Sequence, residues 1–204
     1  MRILLTGFDP FGGEAINPAL EAVRALSGCA AGAEILKLAV PTVFGRSMET
    51  VYEAMKRERP DAVLCVGQAA GRAGLTVERV AVNFIDAEIP DNEGRQPRDT
   101  PVFPGGPAAY FASLPVRAMV ERIKAAGVPA RISNTAGTFV CNQLMYGVLH
   151  HIEKEFPSMR GGFIHVPYLH EQVMNRPDTP SLSKEEIVRG LEAAVAAIVE
   201  SGNL

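Results

Sequence analysis

Cysteine is scarce in this chain, and its scarcity narrows the possibilities. The 204 residues hold Cys29, Cys65 and Cys141 and no other cysteine. The count is odd, the spacings are wide, and no Cys-x-x-Cys pair occurs. This argues against a disulfide framework and against a structural zinc site. Long apolar runs are missing too. No segment offers the 18 or more apolar residues of a membrane span. The opening Met1-Arg-Ile-Leu-Leu-Thr-Gly7 is too short in its apolar part for a signal peptide. The expected compartment is therefore the reducing cytoplasm. Neither sign of charge dominates, with 20 Lys and Arg against 23 Asp and Glu and a net charge of −3. Without a basic face or stripe, no nucleic-acid partner is expected. Repeats, low-complexity tracts and interdomain linkers are absent as well, so one catalytic domain over 1–204 is expected. A chain of this length buries roughly 70% of its unfolded surface without needing staples.

What is present is an alternation of short apolar runs with longer segments of helical period. Ile3–Leu5 opens a strand ending at Thr6-Gly7. Asn17-Pro18 reads as a helix cap followed by proline at the first helical position. Ile35–Val40 and Ala62–Val66 are further strands, separated by a helix through Met48, Val51, Tyr52 and Met55. Thr76–Ile85 reads as a strand with polar intrusions. Residues 86–109 form a loop, with five prolines in the stretch. A loop this long in a compact domain is a functional or interface element, or is disordered. A helix at about 115–126, a strand closing at Arg131–Ser133, a helix over Val140–Phe156 and a strand at Phe163–Val166 follow. Ser183-Lys-Glu-Glu186 is a capping box for a last helix. The pattern predicts an α/β three-layer sandwich, with a twisted, mostly parallel central sheet flanked by helices. Ligands in such sheets bind beyond the C-terminal strand ends. Gly7-Phe-Asp-Pro-Phe-Gly-Gly13 follows the first strand, but it is neither GxGxxG nor a Walker motif, so it carries no nucleotide argument.

Three residues carry candidate chemistry. Cys141 lies in the first turn of a helix, where unpaired N–H groups and the helix dipole stabilise an anion. That position lowers a thiol pKa and could also hold an oxyanion. Cys141 equally shares a helical stripe with Leu144, Met145, Val148 and Ile152, so it fits a core position too. A thiolate nucleophile commonly works with a histidine base. His150 and His151 are expected on the helix surface, and His170 in a loop. His165 closes a short strand before Pro167 and suits either a base or a core histidine bonded to backbone. Glu78 falls by strand parity on the face of Val80, Val82 and Phe84. A carboxylate there needs a partner, which could be an imidazolium or an arginine such as Arg72 or Arg79.

The chain also resembles the type I pyroglutamyl peptidases, or pyrrolidone-carboxylate peptidases, over nearly its whole length. The matching pieces are Leu5-Thr-Gly-Phe-Asp-Pro-Phe-Gly-Gly13 with Asn17-Pro18, Pro41-Thr-Val-Phe44, Val66-Gly-Gln68 with Gly71-Arg72, and Glu78-Arg-Val-Ala-Val-Asn83. They continue through Ile89-Pro-Asp-Asn-Glu-Gly94, Gly105-Gly-Pro-Ala-Ala-Tyr110, Thr135-Ala-Gly-Thr-Phe-Val-Cys-Asn142 and Gly161-Gly-Phe-Ile-His-Val-Pro167. The resemblance implies hydrolysis of the amide bond after an N-terminal pyroglutamyl residue. It implies Cys141 as nucleophile, His165 as base and Glu78 as acid, with no metal or organic cofactor. It implies peptide substrates with N-terminal pyroglutamate and a homotetramer. It implies a lactam pocket lined by Phe8, Phe11, Phe139 and Val140, with Asn17 and Gln68 nearby. One position departs from the pattern: Glu88 stands where many members carry an arginine assigned a part in the site's electrostatics. Either the backbone or another basic residue, such as Arg72, takes that part here.

The chemistry is consistent with that resemblance. A neutral lactam wants apolar walls with one donor and one acceptor. A charged N-terminal amine would lose its water there without a carboxylate partner, so ordinary peptides would be rejected. Two other readings share the fold: a nucleoside phosphorylase-like enzyme, and a catalytically silent module that binds pyroglutamyl peptides.

Overall fold

The structure is a computed structural model and describes residues 1–202; the last two positions of the expected 1–204 domain lie outside the described residues. The elements run β1 (Arg2–Phe8), α1 (Pro18–Ala25), β2 (Cys29–Ala30), β3 (Ala33–Val40), α2 (Arg46–Glu58), β4 (Ala62–Gln68), β5 (Leu75–Glu78), β6 (Val80–Val82) and β7 (Ala109–Phe111). They continue with α3 (Val116–Ala125), β8 (Ala130–Ser133), α4 (Val140–Glu155), β9 (Arg160–Val166), β10 (Tyr168–Leu169), β11 (Ser181–Leu182) and α5 (Lys184–Ser201).

Seven strands make the central sheet in the order β2-β3-β1-β4-β9-β5-β8. β3, β1, β4 and β9 are mutually parallel, β5 runs against β9, and β8 runs with β5. Every residue of β4 is buried, as expected of a strand covered on both faces. Successive side chains feed opposite layers. Leu5, Leu64, Val77 and Ile164 pack with Ala22 of α1, Met119 of α3 and Leu191 of α5. Leu4, Val63, Cys65 and Phe163 pack on the other face with Val51 of α2 and with Leu144 and Val148 of α4. This is the α/β three-layer sandwich that the alternation predicts.

The local signals explain the helix starts. Asn17 Oδ1 accepts from the Ala19 N–H at 3.0 Å, with Pro18 in the first helical position. Ser183 and Glu186 exchange both bonds of the capping box, at 3.1 and 2.8 Å. α4 differs, because its first flanking residue, Phe139, supplies no side-chain cap.

The expected strand over Thr76–Ile85 is not one element. It breaks at Arg79, whose N–H binds the Ser133 carbonyl at 2.8 Å. β5 stays in the central sheet, while β6 leaves it and pairs with β7. The parity linking Glu78 to Val80, Val82 and Phe84 therefore does not hold. Glu78 is nonetheless fully buried, because β5 itself is covered on both faces.

The 86–109 loop carries no regular structure before β7, yet it is tied down by its own polar groups. The Asp91 carboxylate accepts from the backbone N–H groups of Phe44, Glu93 and Arg95 at 2.8–2.9 Å. Asn83 bonds both Phe103 backbone groups at 2.9 Å, and the Tyr146 hydroxyl donates to the Pro107 carbonyl at 2.7 Å. The loop thereby lies against the start of α4, where Asp86 N–H binds the Thr138 carbonyl at 3.1 Å.

Candidate active site

The site assembles at the C-terminal ends of β4 and β9. Register sets it: His165 on β9 lies beside Gly67 of β4 on one side and Thr76 of β5 on the other. Glu78 stands opposite Phe163, two residues from His165 on the same face. Such diagonal neighbours are within reach of long side chains. His165 Nδ1 and Glu78 Oε1 are 2.8 Å apart. The same Oε1 also accepts from Arg72 Nη1 at 2.5 Å. Arg72 reaches in from the β4–β5 loop, held further by Thr76 Oγ1 and by the Thr135 carbonyl. The two partners weighed for Glu78, imidazole and arginine, are thus both present, on one oxygen. Oε2 has no hydrogen bond.

Cys141 is the second residue of α4 and packs over Gly67. A Cβ built on Gly67 would lie 3.0 Å from the Cys141 sulfur and 2.9 Å from the Phe163 ring. Only a glycine lets the sulfur settle this close to the strand beside His165. The following residues lock the turn. Asn142, fully buried, accepts from Val82 N–H and donates to the carbonyls of Val82 and Phe84, at 2.9–3.0 Å. Gln143 Oε1 accepts from Gly45 N–H at 2.8 Å. With no side chain capping α4, its leading N–H groups remain available to an anion.

Burial opposes charge on Glu78, but the hydrogen bond from His165 and the nearby Arg72 outweigh it and hold the carboxyl below its ordinary value. An ionised carboxylate only accepts hydrogen bonds, so Nδ1 carries the ring proton and Nε2 is left as an acceptor. Burial pulls His165 below its usual value despite the bond to Glu78. Burial, reinforced by the Glu78 charge, pushes the Cys141 thiol up to about 12. The lowered thiol expected at a helix start is therefore reversed, because desolvation of the sulfur exceeds what the helix terminus supplies. These directions favour a thiol, a neutral imidazole and a carboxylate at rest.

Cys141 and His165 line one cavity of about 450 Å³ with Phe11, Gln68, Arg72, Ile89 and Phe139. Asp86, Glu88 and residues 136–138 complete its wall. Gln68 is buried, and its Oε1 has no partner. Three further residues from the expected lactam pocket sit elsewhere. Phe8 is 1% exposed and packs toward Phe163 at 6.4 Å. Val140 is buried among the residues under α4. Asn17 is committed to capping α1 and to the Asp9 carbonyl at 3.0 Å. The other histidines lie apart. His150 and His151 are half-buried rather than on the surface, stacked on Phe103 at 4.2 Å and on Tyr52 at 4.1 Å. His170 is exposed and within 2.8 Å of Ser181 Oγ.

A cysteine at an uncapped helix start shares a cavity with a histidine whose imidazole is bonded to a buried carboxylate, an arrangement on an α/β sandwich that fits a hydrolase of the cysteine-peptidase class. The chain belongs to the pyroglutamyl peptidase family, whose model matches residues 1–201. It is 58% identical over 200 residues to the pyrrolidone-carboxylate peptidase 1 of Streptococcus pneumoniae, covering 98% of this chain and 94% of that one. The crystal structure of pyroglutamyl peptidase I from Bacillus amyloliquefaciens superposes with a TM-score of 0.95 at 50% identity, covering 98% and 97% of the two chains. The pyrrolidone carboxyl peptidase of Pyrococcus furiosus superposes at 0.93 with 40% identity, covering 98% and 99%.

Sequence reasoning missed several positions in the site. Gly67 carried a faint signal, a glycine at a strand end. Asp86 and Ile89 fell within the loop read as a functional or interface element, or as disordered. Asn142 closes one of the matching motifs but is given no role by it, and Gln143 carried no signal, since a polar residue following a helix start is ordinarily exposed.

Proposed function

We propose that the chain hydrolyses the amide bond after an N-terminal pyroglutamyl residue, with Cys141 as nucleophile, His165 as base and Glu78 as the group that orients the imidazole. The observation that carries this reading is the Glu78–His165 bond of 2.8 Å beside a cysteine in the same cavity. The Cys141 proton passes to His165 Nε2 as sulfur bonds to the pyroglutamyl carbonyl carbon. The developing imidazolium is stabilised by the Glu78 carboxylate, and the oxyanion by N–H groups of the first turn of α4. His165 gives that proton to the leaving nitrogen as the C–N bond breaks, leaving a thioester. Water, deprotonated by His165, then cleaves the thioester and restores the thiol. The lactam lies against Phe11 and Phe139, with the free Gln68 Oε1 as acceptor for the lactam N–H. No metal or organic cofactor takes part.

The same reading makes 1–204 one catalytic domain, working in the cytoplasm on peptides with N-terminal pyroglutamate and assembled as a homotetramer. No described helix is long and apolar enough to cross a membrane. Phe111 on β7 is 71% exposed and Phe84 is 40% exposed, which suits surfaces covered by other subunits. A chromogenic pyroglutamyl amide tests the activity. Turnover abolished by iodoacetamide is the expected result. Turnover indifferent to alkylation, or dependent on phosphate, would overturn it.

A further inference from the structure

The wall of the cavity is uneven in charge. Deep in it lie groups that are uncharged or held against a partner: Gln68, Cys141, and His165 and Arg72, both bonded to Glu78. Toward solvent stand Asp86, Glu88 and Ile89, the last 43% exposed. The backbone carbonyl of Glu88 is fixed by Gln96 Nε2 at 3.0 Å, while its exposed carboxylate enters no ion pair among the described residues. Asp86 has only Arg98 at 3.6 Å, through side chains that are 40% and 58% exposed. The open side of the cavity therefore carries two carboxylates, one of them with no counter-charge. The free acceptor of Gln68, itself buried, points to a ligand in the deep part.

Given the proposed activity, on which this inference rests, the path of the substrate follows. The neutral ring fills the enclosed end and the scissile carbonyl reaches Cys141. The leaving peptide runs outward across a rim that includes Asp86, Glu88 and Ile89 beside the uncharged Ala70 and Gly137. We infer that Glu88, with Asp86, selects the residue after pyroglutamate, favouring peptides with lysine or arginine there and disfavouring acidic ones. An exposed charge pair shifts an equilibrium by about 1.4- to 5-fold. Attraction of a cation and repulsion of an anion at this rim combine to about 2- to 25-fold between the two substrates.

The test compares kcat/KM of the full chain for pyroglutamyl-lysine, pyroglutamyl-glutamine and pyroglutamyl-glutamate amides. Lysine is expected to exceed glutamate by that ratio at low ionic strength, with glutamine between. The ratio is expected to collapse near 1 M salt, where the screening length falls to ~3 Å. Glu88→Gln should shrink the ratio and Glu88→Arg should bring it below one; both change an exposed position, and thermal melts check that each variant is folded. Three amides cleaved at equal rates, or a ratio unmoved in Glu88→Arg, would overturn the inference while leaving the activity standing. Cleavage of none would overturn the activity, and the inference with it.

Discussion

Replacing Glu78 by glutamine probes the site at one atom. Glu78 Oε1 receives two donors, His165 Nδ1 at 2.8 Å and Arg72 Nη1 at 2.5 Å, and Oε2 receives none. A carboxamide in this place has one orientation available. Its oxygen must take the Oε1 position, since an NH₂ there would face two donors. The tautomer of His165 is thereby preserved, and the NH₂ occupies the position of the partnerless Oε2. What is lost is the charge in the bond to the developing imidazolium. A hydrogen bond to a charged group contributes about 1.5–3 kcal/mol, which at 1.36 kcal/mol per tenfold is roughly a 10- to 150-fold fall in kcat/KM. Loss of the correct tautomer would cost about 10⁴-fold, as in the serine-protease example of that effect. Steady-state kinetics on a pyroglutamyl amide separate these cases, with circular dichroism confirming the fold. The carboxylate also raises the imidazole pKa. The acid limb of kcat/KM, where His165 becomes protonated and can no longer accept the thiol proton, should therefore move to lower pH in the variant. Unchanged kinetics, or a loss near 10⁴-fold, would refute the geometric argument.

Gly67→Ala should reduce activity strongly with a smaller effect on stability, because its methyl would sit 3.0 Å from the Cys141 sulfur and 2.9 Å from Phe163; wild-type kinetics in that variant would show the sulfur is not held there. Alkylation of Cys141 by iodoacetamide should accelerate with pH well above neutrality, since the thiol lies near 12 and the imidazole below its ordinary value; a rate constant level from pH 6 to 9 would mean a resting ion pair instead. Asn142→Ala leaves three backbone groups of β6 and its neighbour unpaired and should cost about 2–4 kcal/mol, read by urea melts. Stability should decline on acidification in two stages. His165 sits below its unfolded value, so the unfolded chain takes up a proton first as pH falls through about 6.5. Asp91, where backbone bonds from Phe44, Arg95 and Glu93 overcome burial, and Glu78 both lie below their unfolded values; their stabilisation is complete above those values and disappears as pH falls through the folded ones. Melting temperatures independent of pH between 7 and 3 would contradict this.

Much of the fold is legible because its signals are local. Asn17-Pro18 and Ser183 with Glu186 mark helix starts through bonds spanning two or three residues, and both form. The apolar stripe of α4 is a matter of period alone. The Thr76–Ile85 segment is not legible in this way. Its alternation continues through Arg79, and only the competition between the central sheet and β7 breaks it. His150 and His151 look like surface residues on their helix, and the rings that cover them, Phe103 and Tyr52, come from distant segments. The thiol of Cys141 shows the same limit. A helix start argues for a low pKa, while the burial that reverses it depends on Gly67, Phe163 and Glu78 arriving from other strands. Asn17 shows the converse, since its Oδ1 caps α1 and its Nδ2 donates to the Asp9 carbonyl, leaving neither end of the amide free.

The proposal turns on a thioester at one sulfur. Rapid acid quench during turnover of a pyroglutamyl ester or amide, followed by peptide mass spectrometry, reads it directly. The expected result is one pyroglutamyl acyl group on the peptide holding Cys141, none on those holding Cys29 or Cys65, and neither acyl group nor product with Cys141→Ala. An acyl group on another residue, or product formation undiminished in Cys141→Ala, would contradict the account.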